Sequence, residues 1–218
     1  MTMIDAEELR ADVQSLSDTV SRFTQDELLP HLQQWEEAGE FPRGLYARAA
    51  ALGLLGLGYP ESLGGTPAPH ALRQAMSVTM ARVGGSGGLM ASLFSHNIGL
   101  PPVLRYGTPE QQREVIAPVL RGEKIAALAI TEPGGGSDVA SLRTTARREG
   151  GDWVINGEKV FITSGMRADW FTMAVRTGEA GSKGAGGISM LLVPGDAVGL
   201  SRSRLNKMGW WCSDTAHL

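Results

Sequence analysis

The sequence predicts an α+β fold in which helices come first and strands afterwards. Three observations carry that expectation. Apolar residues recur every three or four positions through the first part of the chain, as one face of a helix requires. Near residue 125 the pattern changes to short apolar runs separated by turn residues. Glycine is abundant, 29 of 218 residues, and it clusters at what read as turns. Helices followed by strands point to two domains or an α+β arrangement, not to an alternating parallel sheet. The division is placed at residues 1–124 and 125–218.

The first helix is expected over Ile4 to Leu28, where Ile4, Leu9, Val13, Leu16, Val20, Phe23 and Leu28 form one stripe, with Pro30 as its stop. Phe41-Pro42 opens a second, running through Leu45, Ala49 and Leu52 to Gly53, with proline where its missing N–H does no harm. Leu54 to Gly65 reads as an apolar connection ending in a glycine turn. A third helix fits Ala68 to Val83, with Leu72, Met76, Met80 and Val83 turned inward. A fourth fits Leu89 to Ile98. Thr108-Pro109-Glu110-Gln111 has the form of a capping box and starts a fifth helix, which ends near Arg121 and Gly122.

Ile125 to Thr131 reads as a buried strand. Leu142 to Arg148 and Trp153 to Ile155 flank Glu149-Gly150-Gly151-Asp152, a hairpin turn. Asn156-Gly157 signals a tight turn into a strand at Lys159 to Thr163. Two more strands fit Trp170 to Arg176 and Ile188 to Val193, and Thr177 to Gly187 between them reads as a mobile surface loop.

Composition narrows the function classes. The chain is 42% hydrophobic and 20% charged, with a net charge of -3, so no basic field recruits nucleic acid or anionic lipid. Residues 1–125 hold 10 bases and 14 acids, and residues 126–218 hold 10 and 9, which leaves the strand-rich part the better anion binder. One cysteine, Cys212, allows neither an internal disulfide nor a multi-thiolate metal site. Met1 to Arg10 has three acids and no signal-type apolar run, and no stretch is long enough to span a bilayer. The expected setting is cytoplasmic, with no metal, nucleic acid or membrane partner.

Phosphate-loop, dinucleotide, zinc-protease and serine-hydrolase motifs are absent. His31, His70, His96 and His217 lack metal-ligand spacing, and His96 reads as a packing residue. Cys212 has no base near it in sequence and reads as inert. Two segments could carry chemistry. In Leu128-Ala-Ile-Thr-Glu-Pro-Gly-Gly-Gly-Ser-Asp138 an apolar strand runs into three glycines. Their N–H groups could cradle an anion, or the segment could be a plain glycine turn. In Lys159-Val-Phe-Ile-Thr-Ser-Gly165 a flat cofactor could stack on Phe161 while Thr163 bonds its polar edge; otherwise Phe161 is simply a core residue.

Taken together, these segments resemble the acyl-CoA dehydrogenase family of flavoproteins over nearly the whole chain. The resemblance rests on Phe41-Pro42 with Leu52 to Leu57 and Pro60 to Gly65, on Tyr106-Gly107-Thr108 with Gln111 and Gly122-Glu123, and on Ala129 to Pro133 with Gly136-Ser-Asp138. It continues in Asn156 to Lys159 with Ile162 to Gly165, and in Lys207-Met-Gly-Trp210 with Ser213-Asp-Thr215. It implies a helical N-terminal domain, an antiparallel β-barrel-like middle domain left incomplete at residue 218, and a C-terminal helical bundle, assembled as a homotetramer or homodimer.

The resemblance further implies non-covalently bound FAD. Leu128, Ile130 and Thr131 would face the flavin ring, and Phe161, Ile162 and Thr163 would cover another of its edges. Gly136 and Ser137 would lie at the phosphates and the acyl-CoA entrance, with Ser137 also binding substrate. Leu128 and Phe161 stand where the family commonly has an aromatic residue and tryptophan, and Trp211-Cys212 is an unusual pair. The implied reaction removes the pro-R α-proton of an acyl-CoA thioester by a carboxylate while hydride leaves the β-carbon for flavin N5. That carboxylate is expected beyond Leu218, so no catalytic base is assigned in this chain, the isolated chain is expected to be inactive, and Glu132 is given a structural role at the turn before Pro133. Electrons would pass to an electron-transferring flavoprotein. Two alternatives share the fold: an acyl oxidase, flavin monooxygenase or carrier-linked acyl dehydrogenase, and a non-catalytic, FAD-containing, DNA-associated relative.

Overall fold

The structure is a computed structural model that describes residues 6–178 and 184–218. The chain forms two compact units that interleave along the sequence. The first comprises Met1–Leu93, Leu120–Glu123 and Lys207–Ser213; the second comprises Phe94–Val119, Lys124–Asn206 and Asp214–Leu218.

In the first unit, α1 (Ala6–Phe23) buries Val20 and Phe23 at the end of the expected stripe. Ile4 lies outside the described residues. Pro30 does not stop the chain's helical course as expected. The Thr24 hydroxyl donates to Val20 O at 2.7 Å, the backbone widens to a π turn over Thr24–Leu28, and a 3-10 turn at Leu29–His31 takes in Pro30. Changing the hydrogen-bond period accommodates the missing N–H without ending the coil. The chain then re-enters α2 (Leu32–Ala38). Next come α3 (Gly44–Ala51), α4 (His70–Val83) and α5 (Gly87–Leu93). Trp35, Phe41 and Tyr46 form a run of ring contacts in the core, with centroids 6.3 and 5.5 Å apart.

Lys207–Ser213 returns to this unit. A Cβ on Gly88 would stand 2.8 Å from Trp210 Cα, so the close approach of the returning segment requires glycine there. The Cys212 N–H donates to Glu36 Oε2 at 2.9 Å, and the Cys212 thiol lies 3.2 Å from Glu36 Oε1, which also accepts from the Ser86 hydroxyl at 2.8 Å. Burial and the neighbouring carboxylate push the thiol up to about 12, so Cys212 is an inert thiol, as its sequence context implies. Burial acts to raise the Glu36 pKa, but donation from Cys212 and Ser86 outweighs it and the carboxyl sits below its ordinary value.

The second unit begins with helical turns. The expected helix over Leu89 to Ile98 is two helices, α5 and α6 (His96–Gly99), and α7 (Pro101–Tyr106) follows without a sequence expectation. The Thr108 box forms as read: its hydroxyl accepts from Gln111 N–H, and the Gln111 side chain accepts from Thr108 N–H. It caps a coil of α8 (Pro109–Gln111), a π turn (Gln112–Ile116) and α9 (Ala117–Leu120).

Among the described residues eight strands follow: β1 (Ala126–Ala129), β2 (Thr145–Glu149), β3 (Asp152–Asn156), β4 (Ile162–Thr163), β5 (Trp170–Arg176), β6 (Ile188–Pro194), β7 (Ser203–Arg204) and β8 (Thr215–His217). The helical-then-strand architecture is as expected, but the sheet is mixed where an antiparallel one was anticipated. β5 pairs in parallel with β1 (Ala126↔Trp170) and with β2 (Thr145↔Arg176), and antiparallel with β6. Parallel pairing needs a long crossover, and no local turn signal encodes one. Among the described residues the two sheets, of five and three strands, form no closed barrel. The Glu149 to Asp152 hairpin joins β2 and β3 as read. Asn156-Gly157 does not make a second hairpin: β4 is two residues long and pairs with β8 in the other sheet. Part of the Thr177 to Gly187 loop, 179–183, lies outside the described residues.

Two buried hydroxyls tie α6 and its preceding turn to the sheet. Ser95 donates to Ala126 O at 3.1 Å and Thr172 donates to Gly99 O at 2.7 Å. His96 is 2% exposed and lies 6.3 Å, ring to ring, from Phe94, in keeping with a packing role.

Candidate functional site

The two glycine-bearing segments converge within the strand unit. Leu128, Ile130, Thr131, Phe161, Ile162 and Thr163 line one open cleft together with Ile98. Six of the eight sequence-expected residues are therefore brought together, three from the end of β1 and three from around β4. Strand alternation explains the β1 side: Ala127 and Ala129 are buried, while Leu128 and Ile130 turn toward the cleft.

Phe161 is not the core residue that a plain strand would make it. It is 68% exposed and has a φ of 61°, as does Ser164. A left-handed backbone is costly for a phenylalanine and persists only where the surroundings impose it. The surroundings here do so closely. Lys159 and Leu218 exchange backbone hydrogen bonds of 3.0 and 2.8 Å, Val160 N–H donates to Thr131 O at 2.8 Å, and Ser164 N–H donates to Asp214 O at 2.9 Å. The buried Asp214 carboxylate also accepts from Met166 N–H at 2.8 Å and from Arg167 Nε at 2.9 Å.

Gly136 and Ser137 lie outside the cleft lining, on an exposed glycine turn. A Cβ on Gly136 would come within 3.2 Å of Thr131 Cγ2, so the turn lies against one of the cleft's two threonines. Ile98 was missed by sequence reasoning. The sequence marks it only as the end of a helix, and it is 56% exposed on α6. No sequence signal distinguishes it from the core residues beside it.

Beneath the cleft lies a buried ion pair. Lys159 Nζ is 2.8 Å from Glu132 Oε1, with the two side chains 1% and 8% exposed, and it also donates to Ile130 O at 2.9 Å. Glu132 accepts further from Arg143 N–H at 2.6 Å and Thr144 N–H at 2.8 Å, and its own backbone exchanges hydrogen bonds with Gly135. Burial by itself would raise the Glu132 pKa, but Lys159, Thr144 and Arg143 together hold it at about 2. Burial pulls the Lys159 ammonium below its ordinary range, with Glu132 opposing. A carboxylate so committed is a poor proton acceptor, which fits the structural role expected for Glu132 and leaves it unsuited as a general base.

Among the described residues no cluster of three His, Cys, Asp or Glu side chains could hold a metal ion, and no helix is long and apolar enough to cross a membrane.

Comparison with known families matches residues 10–123 to the N-terminal domain of acyl-CoA dehydrogenases and residues 127–218 to their middle domain. The mitochondrial long-chain specific acyl-CoA dehydrogenase of Mus musculus is 39% identical over 202 residues, which is 92% of this chain and 46% of that protein. A Mycobacterium smegmatis protein assigned to the acyl-CoA dehydrogenases superposes with a TM-score of 0.90 at 46% identity, over 98% of this chain and 54% of that one. A Bacillus anthracis acyl-CoA dehydrogenase complexed with FAD superposes with a TM-score of 0.85 at 31% identity, over 98% of this chain and 36% of that one. The chain thus spans about half the length of the curated relatives it matches. The two family matches, contiguous and in order over most of the sequence, establish that this chain belongs to the acyl-CoA dehydrogenase family.

Proposed function

We propose that the cleft holds the isoalloxazine ring of FAD and that the whole protein oxidises the Cα–Cβ bond of an acyl-CoA thioester to a double bond. The observation that carries this reading is the meeting of Leu128, Ile130, Thr131, Phe161, Ile162 and Thr163 around one cleft, from two segments about thirty residues apart. The residues present fit a flavin. The lining is mainly apolar, the Phe161 ring stands exposed, and the hydroxyls of Thr131 and Thr163 are the side-chain groups suited to a polar ring edge.

When bound, the flavin supplies the two-electron acceptor that dehydrogenation requires. The chain's own residues bind and orient. Leu128, Ile130 and Ile162 give a flat ring an apolar bed and keep water from it. Phe161 offers an aromatic face, and the two threonines set the ring's rotation within the cleft. The Gly134 to Asp138 turn, with Gly136 against Thr131, is a backbone surface that an anionic group can approach closely, and Ser137 offers a hydroxyl there. Proton abstraction from the α-carbon is assigned to the carboxylate that the family resemblance implies beyond Leu218; Glu132, engaged by its buried partners, is unsuited to that step. The proposed electron acceptor is an electron-transferring flavoprotein.

The test is to purify the full-length protein, release and identify its chromophore, and mix it anaerobically with a panel of acyl-CoAs. Bleaching of a flavin band by one of them, with turnover restored by an electron-transferring flavoprotein, is the expected result. Absence of flavin would overturn the cofactor reading. Rapid peroxide formation in air without an acceptor protein would instead favour an oxidase.

A further inference from the structure

We propose that Lys159 and Glu132 are a positioning pair for the cleft, fixing the two lining segments against each other so that the flavin ring is held in one place. This rests on the flavin reading above. The bonds of the pair run between the two segments. Lys159 Nζ donates to Ile130 O on one side of the cleft, while its own backbone, two residues before Phe161, is clamped to Leu218 on the other. Glu132 follows Thr131 directly and is anchored to Arg143 and Thr144. The pair therefore grips Ile130 and Thr131 from behind and sets the approach to Phe161, whose left-handed backbone needs such constraint.

A pair that served stability alone would be replaceable by uncharged groups of similar shape. Exchanging a buried ion pair for neutral residues is often neutral or stabilising, whereas removing one partner strands a charge. Neutral groups would not restore the bond to Ile130 O. Stability and cleft geometry can thus be separated in one variant.

In the full-length protein, Glu132→Gln/Lys159→Met is expected to unfold in urea near the wild-type midpoint. Its FAD dissociation constant should rise by about tenfold, the loss of one charge-assisted hydrogen bond, with a shifted and less structured flavin absorption band. Glu132→Asp keeps the charges paired but shortens the reach, and should show the same spectral change in smaller measure; it carries the test should the double variant not fold. Variants that bind FAD as tightly as wild type with an unchanged band would overturn the positioning role while leaving the flavin reading intact. A wild-type protein that binds no flavin would overturn both.

Discussion

Two carboxylates, one buried and one half-buried, perform the same mechanical task in different units. Glu36 in the helical unit and Glu132 in the strand unit each accept backbone N–H groups from a segment distant in sequence, Cys212 for the first and Arg143 with Thr144 for the second. The difference lies in what neutralises them. Glu132 has an ammonium 2.8 Å away inside the protein, whereas Glu36 is satisfied by a hydroxyl, a thiol and an amide and stays half-buried. A counter-cation makes the Glu132 site intolerant of losing one member. The Glu36 site can shed its charge and keep most of its hydrogen bonds.

The largest effect expected from this contrast is that of Lys159→Met, which leaves the Glu132 carboxylate buried without its cation. The cost should be about 3–5 kcal/mol by urea unfolding. A cost no greater than that of altering Glu36 would erase the distinction. Glu36→Gln retains an acceptor for Cys212 N–H and should lose about 1–2 kcal/mol. Acid separates the pair further. Glu132 titrates near 4.5 when unfolded and at about 2 when folded, so its contribution is complete above 4.5 and is lost as pH falls toward 2. Glu36 is shifted the same way, so unfolding midpoints followed from about pH 6 to about pH 3 should decline in wild type. The decline should be shallower in Glu132→Gln/Lys159→Met than in Glu36→Gln. The smallest effect is local: Thr108→Ala, which opens an exposed capping box far from either carboxylate, should cost about 1 kcal/mol and leave the acid response unchanged.

Legibility followed how local the governing interaction is. The Thr108 box, the Glu149 to Asp152 turn and the extent of β5 are set within a few residues, and each was readable. The parallel partnership of Ala126 with Trp170 depends on the path of the 43 residues between them, and periodicity carries no trace of it. Pro30 misled because the rule that proline ends a helix assumes a fixed hydrogen-bond period, which the chain changes on either side of it. At the cleft, residue types marked two candidate segments, and only the family resemblance carried them to six lining positions. The φ of Phe161 and the exposure of Ile98 come from packing around them, and no motif records either.

The return of Lys207–Ser213 to the helical unit has a consequence for synthesis. The bond between Cys212 and Glu36 joins residues 176 apart, and Ser92 reaches Ser213 at 2.9 Å across 121. As the chain leaves the ribosome, its early helices can collapse and begin to pack, as leading domains do. Their surface around Gly87 and Gly88 nevertheless waits uncovered until strands β1 to β7 have been made. The helical unit is therefore first to start and among the last to finish. For that interval an unfilled surface is offered to chaperones, and pausing translation before codon 207 should lengthen it.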